Sequence, residues 1–339
     1  MDIATTVSQG QVNPIRTILD MAGAYAVPRC LHTVADMGVA DVLGDAPQSA
    51  EELAKELSAN PDALGRVLRL LSANSVFAEQ NGTFTHNEVS RLLRSDHPHS
   101  LRSFVRMFGL RAFWDTQGVL QSSVRTGQLA AEQVLPGGYY RYLEDNAEAS
   151  AIFNSAMSAK AKGQIAGVLA AYDFSAFRTI GDIGGGRGHL LKAILDVGPN
   201  SRGVLFDLPR VIQEISPPIA SERLRVESGS FFTDPLPTCD SYILMEVVHA
   251  FADTDALAIL SAVRKAAPSG ATLLVIEQMI SDDPGPDWVK TLDIHMLALL
   301  GGRQRSRKEY IALLNNAGFA FKREINTRAG VAILESVVS

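Results

Sequence analysis

The stretch Thr179-Ile180-Gly181-Asp182-Ile183-Gly184-Gly185-Gly186-Arg187-Gly188-His189 decides the fold. A short β-prone run meets three glycines in GxGxG spacing, Gly184, Gly186 and Gly188, and an apolar segment of helical character, 190–195, follows. Glycines let the backbone turn sharply and approach a ligand closely, and the helix that follows offers free N–H groups. After the next strand, 204–206, comes Asp207, about 20 residues beyond the turn, where a carboxylate suits the two hydroxyls of a ribose. The dinucleotide fingerprint G-x-G-x-x-G needs its third glycine at 189, where a histidine stands. The pattern therefore favours a nucleoside without a diphosphate. S-adenosylmethionine (SAM) is such a nucleoside.

Outward from the turn, short apolar runs alternate with helical segments: 179–183, 190–195, 204–206, 242–248, 256–266 and 271–276. Alternation of this kind predicts a parallel α/β sheet. Two further runs, 319–325 and 331–338, joined by the polar link 326–330, predict an antiparallel hairpin that closes the sheet. The first third reads differently. An apolar stretch over 18–42 is broken around Pro28. Ser49-Ala50-Glu51-Glu52 is a capping box, and Asn60-Pro61 opens a helix with Leu64, Val67, Leu68 and Leu71 on one face. Val76-Phe77 and Thr83-Phe84 flank the turn dipeptide Asn81-Gly82. Helices followed by a hairpin predict a winged-helix-like module. Residues 104–171 read as helical again, interrupted at Gly137-Gly138. The domain expectation is 1–105 for the winged-helix-like part, 106–170 for a helical bridge, and 171–339 for the α/β domain.

The 339 residues are 46% hydrophobic with formal net charge -6, a balance that argues against sequence-independent attraction to nucleic acid. A winged helix can read DNA, but here the second helix carries few cations and the hairpin tip is Glu79-Gln80-Asn81. Cys30 and Cys239 form no CxxC pair, and no His spacing suits a metal. Asp2, Ser8, Gln9 and Gln11 belong to no basic leader, and no apolar run reaches a membrane span. The expectation is a cytoplasmic protein that binds neither membrane nor nucleic acid.

His249 follows the apolar run that begins at Tyr242, and Glu277 ends the next strand. Ligands of open α/β sheets bind beyond the carboxyl ends of strands. If the two strands are neighbours, an imidazole base and an orienting carboxylate share one rim. Such a base would take the proton of a phenol-like hydroxyl. His189 belongs to the helix after the glycine turn, and His295 to an apolar helix.

Taken together, Asp182-Ile183-Gly184-Gly185-Gly186-x-Gly188, Phe206-Asp207-Leu208-Pro209, Gly229-Ser230-Phe231-Phe232, Val247-Val248-His249 and Gly301-Gly302-Arg303-Gln304-Arg305 resemble the SAM-dependent small-molecule O-methyltransferases. That family includes plant caffeate and hydroxyindole methyltransferases and bacterial antibiotic- and phenazine-tailoring enzymes. The resemblance covers nearly the whole chain. It implies an N-terminal winged-helix-like domain forming an intertwined homodimer, and a Rossmann-like SAM domain of seven strands, the last antiparallel. It implies His249 as general base held by Glu277, with Gln304 beside it. Gly184, Gly185, Gly186, Asp207, Leu208, Ser230, Phe231 and Met245 are the candidate cofactor contacts. Trp114, Phe153, Met157 and Met296 are the candidate walls of the acceptor pocket. The sequence departs from the family pattern at Gln304, where an acid is usual, and at Ala250-Phe251, where Asp-Trp is common. Ser230 and Met245 differ from the plant members. Three other readings are weighed: methylation at nitrogen on a phenazine-like ring, a DNA-binding regulator, and a nicotinamide-dependent oxidoreductase. The last lacks its fingerprint and its hydride-site pair.

Overall fold

The computed structural model describes residues 13–338 apart from 214 and 216–218. Residues 2–11, read above as no leader, lie outside the described residues. Two compact units are present: residues up to Arg111 with Ala147–Ala159, and Ala112–Asn146 with Lys160 onward.

In the first unit the helices Pro14–Gly23, Ala26–Met37 and Val39–Leu43 come first. Pro28 does not break this stretch. It sits in the first turn of its helix, where a missing N–H costs nothing, and the break falls at residues 24–25 instead. Ser49 caps Ala50–Glu56 with a capping box completed by Glu52. Asn60 and Pro61 open Pro61–Ala73, which buries Leu64, Leu68 and Leu71. The hairpin pairs Ala78–Gln80 with Thr83–Thr85, two residues later on its first arm than expected, and Gln48–Ser49 adds a third strand. Asn81 and Gly82 both take positive φ, 52 and 79, as a two-residue hairpin turn requires. These elements close on one core around Leu43, Leu53, Leu68, Leu71 and Phe77.

The second unit holds a seven-stranded sheet. Across it lie Phe319–Asn326, Ala332–Val338, Thr272–Glu277, Ser241–Met245, Thr179–Ile183, Arg202–Asp207 and Leu224–Ser228. Ala332–Val338 runs antiparallel to both neighbours. The strands from Thr272–Glu277 to Leu224–Ser228 are mutually parallel. The last strand is therefore antiparallel, as expected, and lies inside the sheet with Phe319–Asn326 at the edge. Helices His189–Val197 and Asp253–Ala266 follow their strands, with apolar clusters on both faces of the sheet. The edge strand Leu224–Ser228 is an addition to the sequence reading. The strand expected over 242–248 is shorter. It ends at Met245, because Glu246 turns into the left-handed region at φ 52 and residues 248–250 form a 3-10 turn. Among the described residues no helix is long and apolar enough to cross a membrane.

Candidate active site

Thr179–Ile183 delivers the chain to the glycine turn at the carboxyl rim of the sheet. Gly184 donates its N–H to the Phe206 carbonyl (2.8 Å), prolonging the parallel ladder. The turn then rides close over its own strands: a Cβ at Gly185 would lie 2.5 Å from the Asp182 carboxyl and 2.6 Å from Leu205. At Gly186 a Cβ would meet nothing within 4 Å, so this side of the turn is open to a ligand. Asp207, at the end of the neighbouring strand, accepts the Gly186 N–H on Oδ2 and the Leu208 N–H on Oδ1, both at 2.7 Å. Each oxygen keeps lone pairs that two ribose hydroxyls can meet. Burial pushes the Asp207 carboxyl up, against the two backbone donors that favour its charge.

The other cofactor candidates gather at the same rim. Phe231 lies 3.8 Å from the Cβ position of Gly184, and packs edge-on with Phe232 and Phe251 at centroid distances of 4.8 and 5.7 Å. The Ser230 N–H bonds Asp234 (2.7 Å) and its hydroxyl accepts from the Phe232 N–H. Met245 is the half-buried last residue of its strand. An open, glycine-lined turn, a carboxylate bound to it and an aromatic ring beside it fit an adenosyl group. No diphosphate clamp is needed.

The catalytic candidates meet at the ends of the next two strands beyond Thr179–Ile183. Ser241–Met245 and Thr272–Glu277 are neighbours, so the condition set by the sequence reading holds. His249 Nδ1 lies 2.8 Å from Glu277 Oε2, and the His249 backbone N–H donates to Oε1 of the same carboxylate (3.2 Å). Glu277 is fully buried. Burial opposes a charge on His249, but Glu277 outweighs it and Glu246 adds to it, holding the imidazole above its ordinary pKa; Lys160 acts in the opposite sense.

The turn that carries His249 is braced from behind. Arg305, a fully buried guanidinium, donates to the carbonyls of Val248 (3.0 Å) and Phe251 (2.9 Å), and its charge meets Asp253 (2.8 Å). Arg303 N–H donates to the His249 carbonyl (2.9 Å). Gly302 is needed for this contact, because a Cβ there would fall onto the His249 carbonyl oxygen and 2.5 Å from the Ala250 carbonyl carbon. Gln304 is buried beside it. Its backbone bonds Asp293 (2.7 Å), while neither atom of its side-chain amide has a hydrogen-bond partner among the described residues, His249 included.

Elsewhere in the second unit, Phe113 and Gln117 of Arg111–Gly118 touch His295 of Trp288–Leu299, ring to ring at 5.6 Å and through a 3.3 Å hydrogen bond. Trp114 and Met296 stand next to these residues on the same two helices. Phe153 and Met157 stand on the part of helix Ala147–Ala171 that belongs to the first unit. Sequence reasoning missed Arg305 as the brace of the turn, and it missed the partly buried Lys160–Glu246 ion pair (2.6 Å).

Sheet order, glycine turn, carboxylate and histidine together define a Rossmann-like methyltransferase that takes its methyl group from SAM. Residues 119–320 match the O-methyltransferase domain, and residues 19–96 the O-methyltransferase dimerisation domain. The chain belongs to that family and is a SAM-dependent O-methyltransferase. It is similar to the phenazine O-methyltransferase PhzM of Lysobacter antibioticus, 37% identical over 94% of this chain and 95% of the relative. It is similar to the 8-amino-8-demethylriboflavin N,N-dimethyltransferase of Streptomyces davaonensis, 35% identical over 85% of each chain. The structure of CalO1, a methyltransferase in calicheamicin biosynthesis in its SAH-bound form, superposes with a TM-score of 0.84. It is 30% identical, with 97% of this chain and 100% of that one covered.

Proposed function

We propose that the acceptor is a hydroxyl on a small aromatic secondary metabolite and that His249 removes its proton. Bound SAM supplies an electrophilic methyl group on a sulfonium and leaves as a neutral thioether. The chain supplies the rest. The glycine turn, Asp207, Leu208, Ser230, Phe231 and Met245 hold the donor, and Trp114 and Met296 flank the acceptor. Gln304 closes the corner behind the histidine. Because His249 Nδ1–H donates to Glu277, the lone pair sits on Nε2, the atom left to take a proton. A phenol near pKa 10 and an imidazole near 6.5 differ by about 3.5 units, roughly 5 kcal/mol against transfer. Glu277, by favouring the imidazolium, narrows that gap.

The observation that carries this reading is the grip of one buried carboxylate on both nitrogen donors of His249. The riboflavin-type relative, a dimethyltransferase acting at nitrogen, keeps N-methylation as the second reading. An amine or ring nitrogen has its own lone pair and needs no such base, so the His249–Glu277 pair favours oxygen. Replacement His249→Ala is expected to lower methyl transfer by about 10²–10⁴-fold with SAM affinity kept. Undiminished turnover removes His249 from the chemistry.

The dimerisation domain is read as forming a homodimer. Helix Pro14–Gly23 buries none of its residues, and Ile15, Ile18, Leu19 and Met21 are 63–71% exposed, an apolar face that a second copy would cover.

A further inference from the structure

We propose that Glu246 is a second positioning carboxylate for the His249 base, with Lys160 as its counter-ion. The inference rests on the reading of His249 as base.

Glu246 and Glu277 leave adjacent points on the rim. Met245 and Ile276 are paired in parallel register, and the Glu246 N–H donates to the Ile276 carbonyl (2.9 Å), so the two acids follow one another on neighbouring strands. Glu246 holds a left-handed φ of 52, a conformation that is strained for a non-glycine residue and persists where its surroundings fix it. The surroundings do fix it. Lys160 Nζ bonds Glu246 Oε1 at 2.6 Å, and Gln278 Nε2 bonds the same oxygen at 2.8 Å. Lys160 and Glu246 are 21% and 15% exposed, so their charges are weakly screened by water.

The charges around His249 can be counted. Glu277 and Glu246 are negative and Lys160 is positive, so with a neutral imidazole the cluster carries one net negative charge. With an imidazolium it is balanced. Taking a proton from the acceptor therefore moves the cluster toward neutrality. The remaining polar groups packed there do not change this sum. Arg305 is matched by Asp253, and the Tyr310 phenol is held in its protonated form by burial. Gln304 is uncharged and bonded through its backbone to Asp293. Glu246 and Lys160 also act on His249 in opposite senses, the acid favouring its protonated form. Glu277 orients the ring, and Glu246 offsets the Lys160 charge, so that the cation does not oppose the imidazolium.

The test is the pH dependence of kcat/KM. A base must be unprotonated to act, so activity falls on the acid side through the His249 pKa. Glu246→Gln keeps the shape and removes the charge, and is expected to move the acid limb down by about one unit. SAM affinity should hold, and Glu246→Asp should restore the limb. If Glu246→Gln does not fold, Lys160→Met gives the mirror test, because Glu246 keeps its charge and the Gln278 bond, and the limb is expected to move up. A limb that stays in place in a folded variant overturns the inference, and marks the pair as a structural contact only. Failure of the underlying reading looks different: His249→Ala would then turn over normally whatever the Glu246 variants do.

Discussion

Glu277→Gln probes the base most directly. The carboxylate now offers one oxygen to the ring Nδ1–H at 2.8 Å and the other to the backbone N–H at 3.2 Å. A glutamine has one oxygen for the two donors. Losing the charge-assisted bond to an imidazolium costs about 1.5–3 kcal/mol, or about 10- to 150-fold in rate. A second loss comes from the tautomer. If the amide oxygen serves the backbone N–H, the NH₂ group faces Nδ1, which must then accept, and the proton moves to Nε2. The base atom is then occupied. The corresponding acid-to-amide change in a Ser-His-Asp triad costs about 10⁴ for this reason. The expected fall in kcat is about 10²–10⁴-fold. The assay is transfer of a labelled methyl group from SAM to a phenolic acceptor that the wild type turns over, both at saturation. SAM affinity is followed by calorimetry and the fold by circular dichroism. A folded Glu277→Gln protein with kcat within about threefold of wild type would refute the role given to Glu277.

Two more outcomes follow from buried contacts. Gly302→Ala sets a methyl group against the His249 carbonyl and Ala250, so the turn must shift; a displacement near 1 Å costs about 10²-fold in rate. Turnover should drop that far with SAM binding retained, and a fully active alanine variant would show that the turn tolerates the push. Asp182 is buried, its Oδ2 has no hydrogen-bond partner among the described residues, and burial, with Asp207 nearby, pushes its carboxyl up to about 7. A folded pKa above the unfolded value gives stability that is present below about pH 4 and lost as pH rises through 7, on the order of 2–4 kcal/mol. Thermal melts should therefore fall less steeply between about pH 4 and 7 in Asp182→Asn than in wild type. His249, whose pKa is also raised, contributes the same downward slope to both proteins. Parallel curves would mean that Asp182 ionises in the fold as it does in water.

The glycine turn could be read from sequence because few residues but glycine take repeated positive φ, and because Asp207 sits at a fixed distance behind a strand. The capping boxes at Ser49 and the Asn60-Pro61 start were readable for a similar reason: each is a local bond between residues three apart. His249 and Glu277 could be named, since each follows an apolar run. What escaped were contacts without a local pattern. The positive φ of Glu246 has no residue-type signature, so 242–248 looked like one strand. Lys160 lies 86 residues from its partner. Arg305 bonds mainly to carbonyl oxygens, which every residue possesses. Leu224–Ser228 is an edge strand in which Arg225 and Glu227 alternate with apolar neighbours, a pattern easily taken for a loop.

The placement of Ala332–Val338 between Thr272–Glu277 and Phe319–Asn326 has a consequence for biogenesis. Its first residue, Ala332, is paired with Glu277, so the strand that ends at the histidine's partner gains its neighbour on that side only from a segment that follows all five parallel strands in the chain. Until then the ribosome carries a chain with an open, hydrophobic strand edge. Closing that edge falls to the hairpin that follows, so the strand bearing Glu277 is the last of the central strands to be covered.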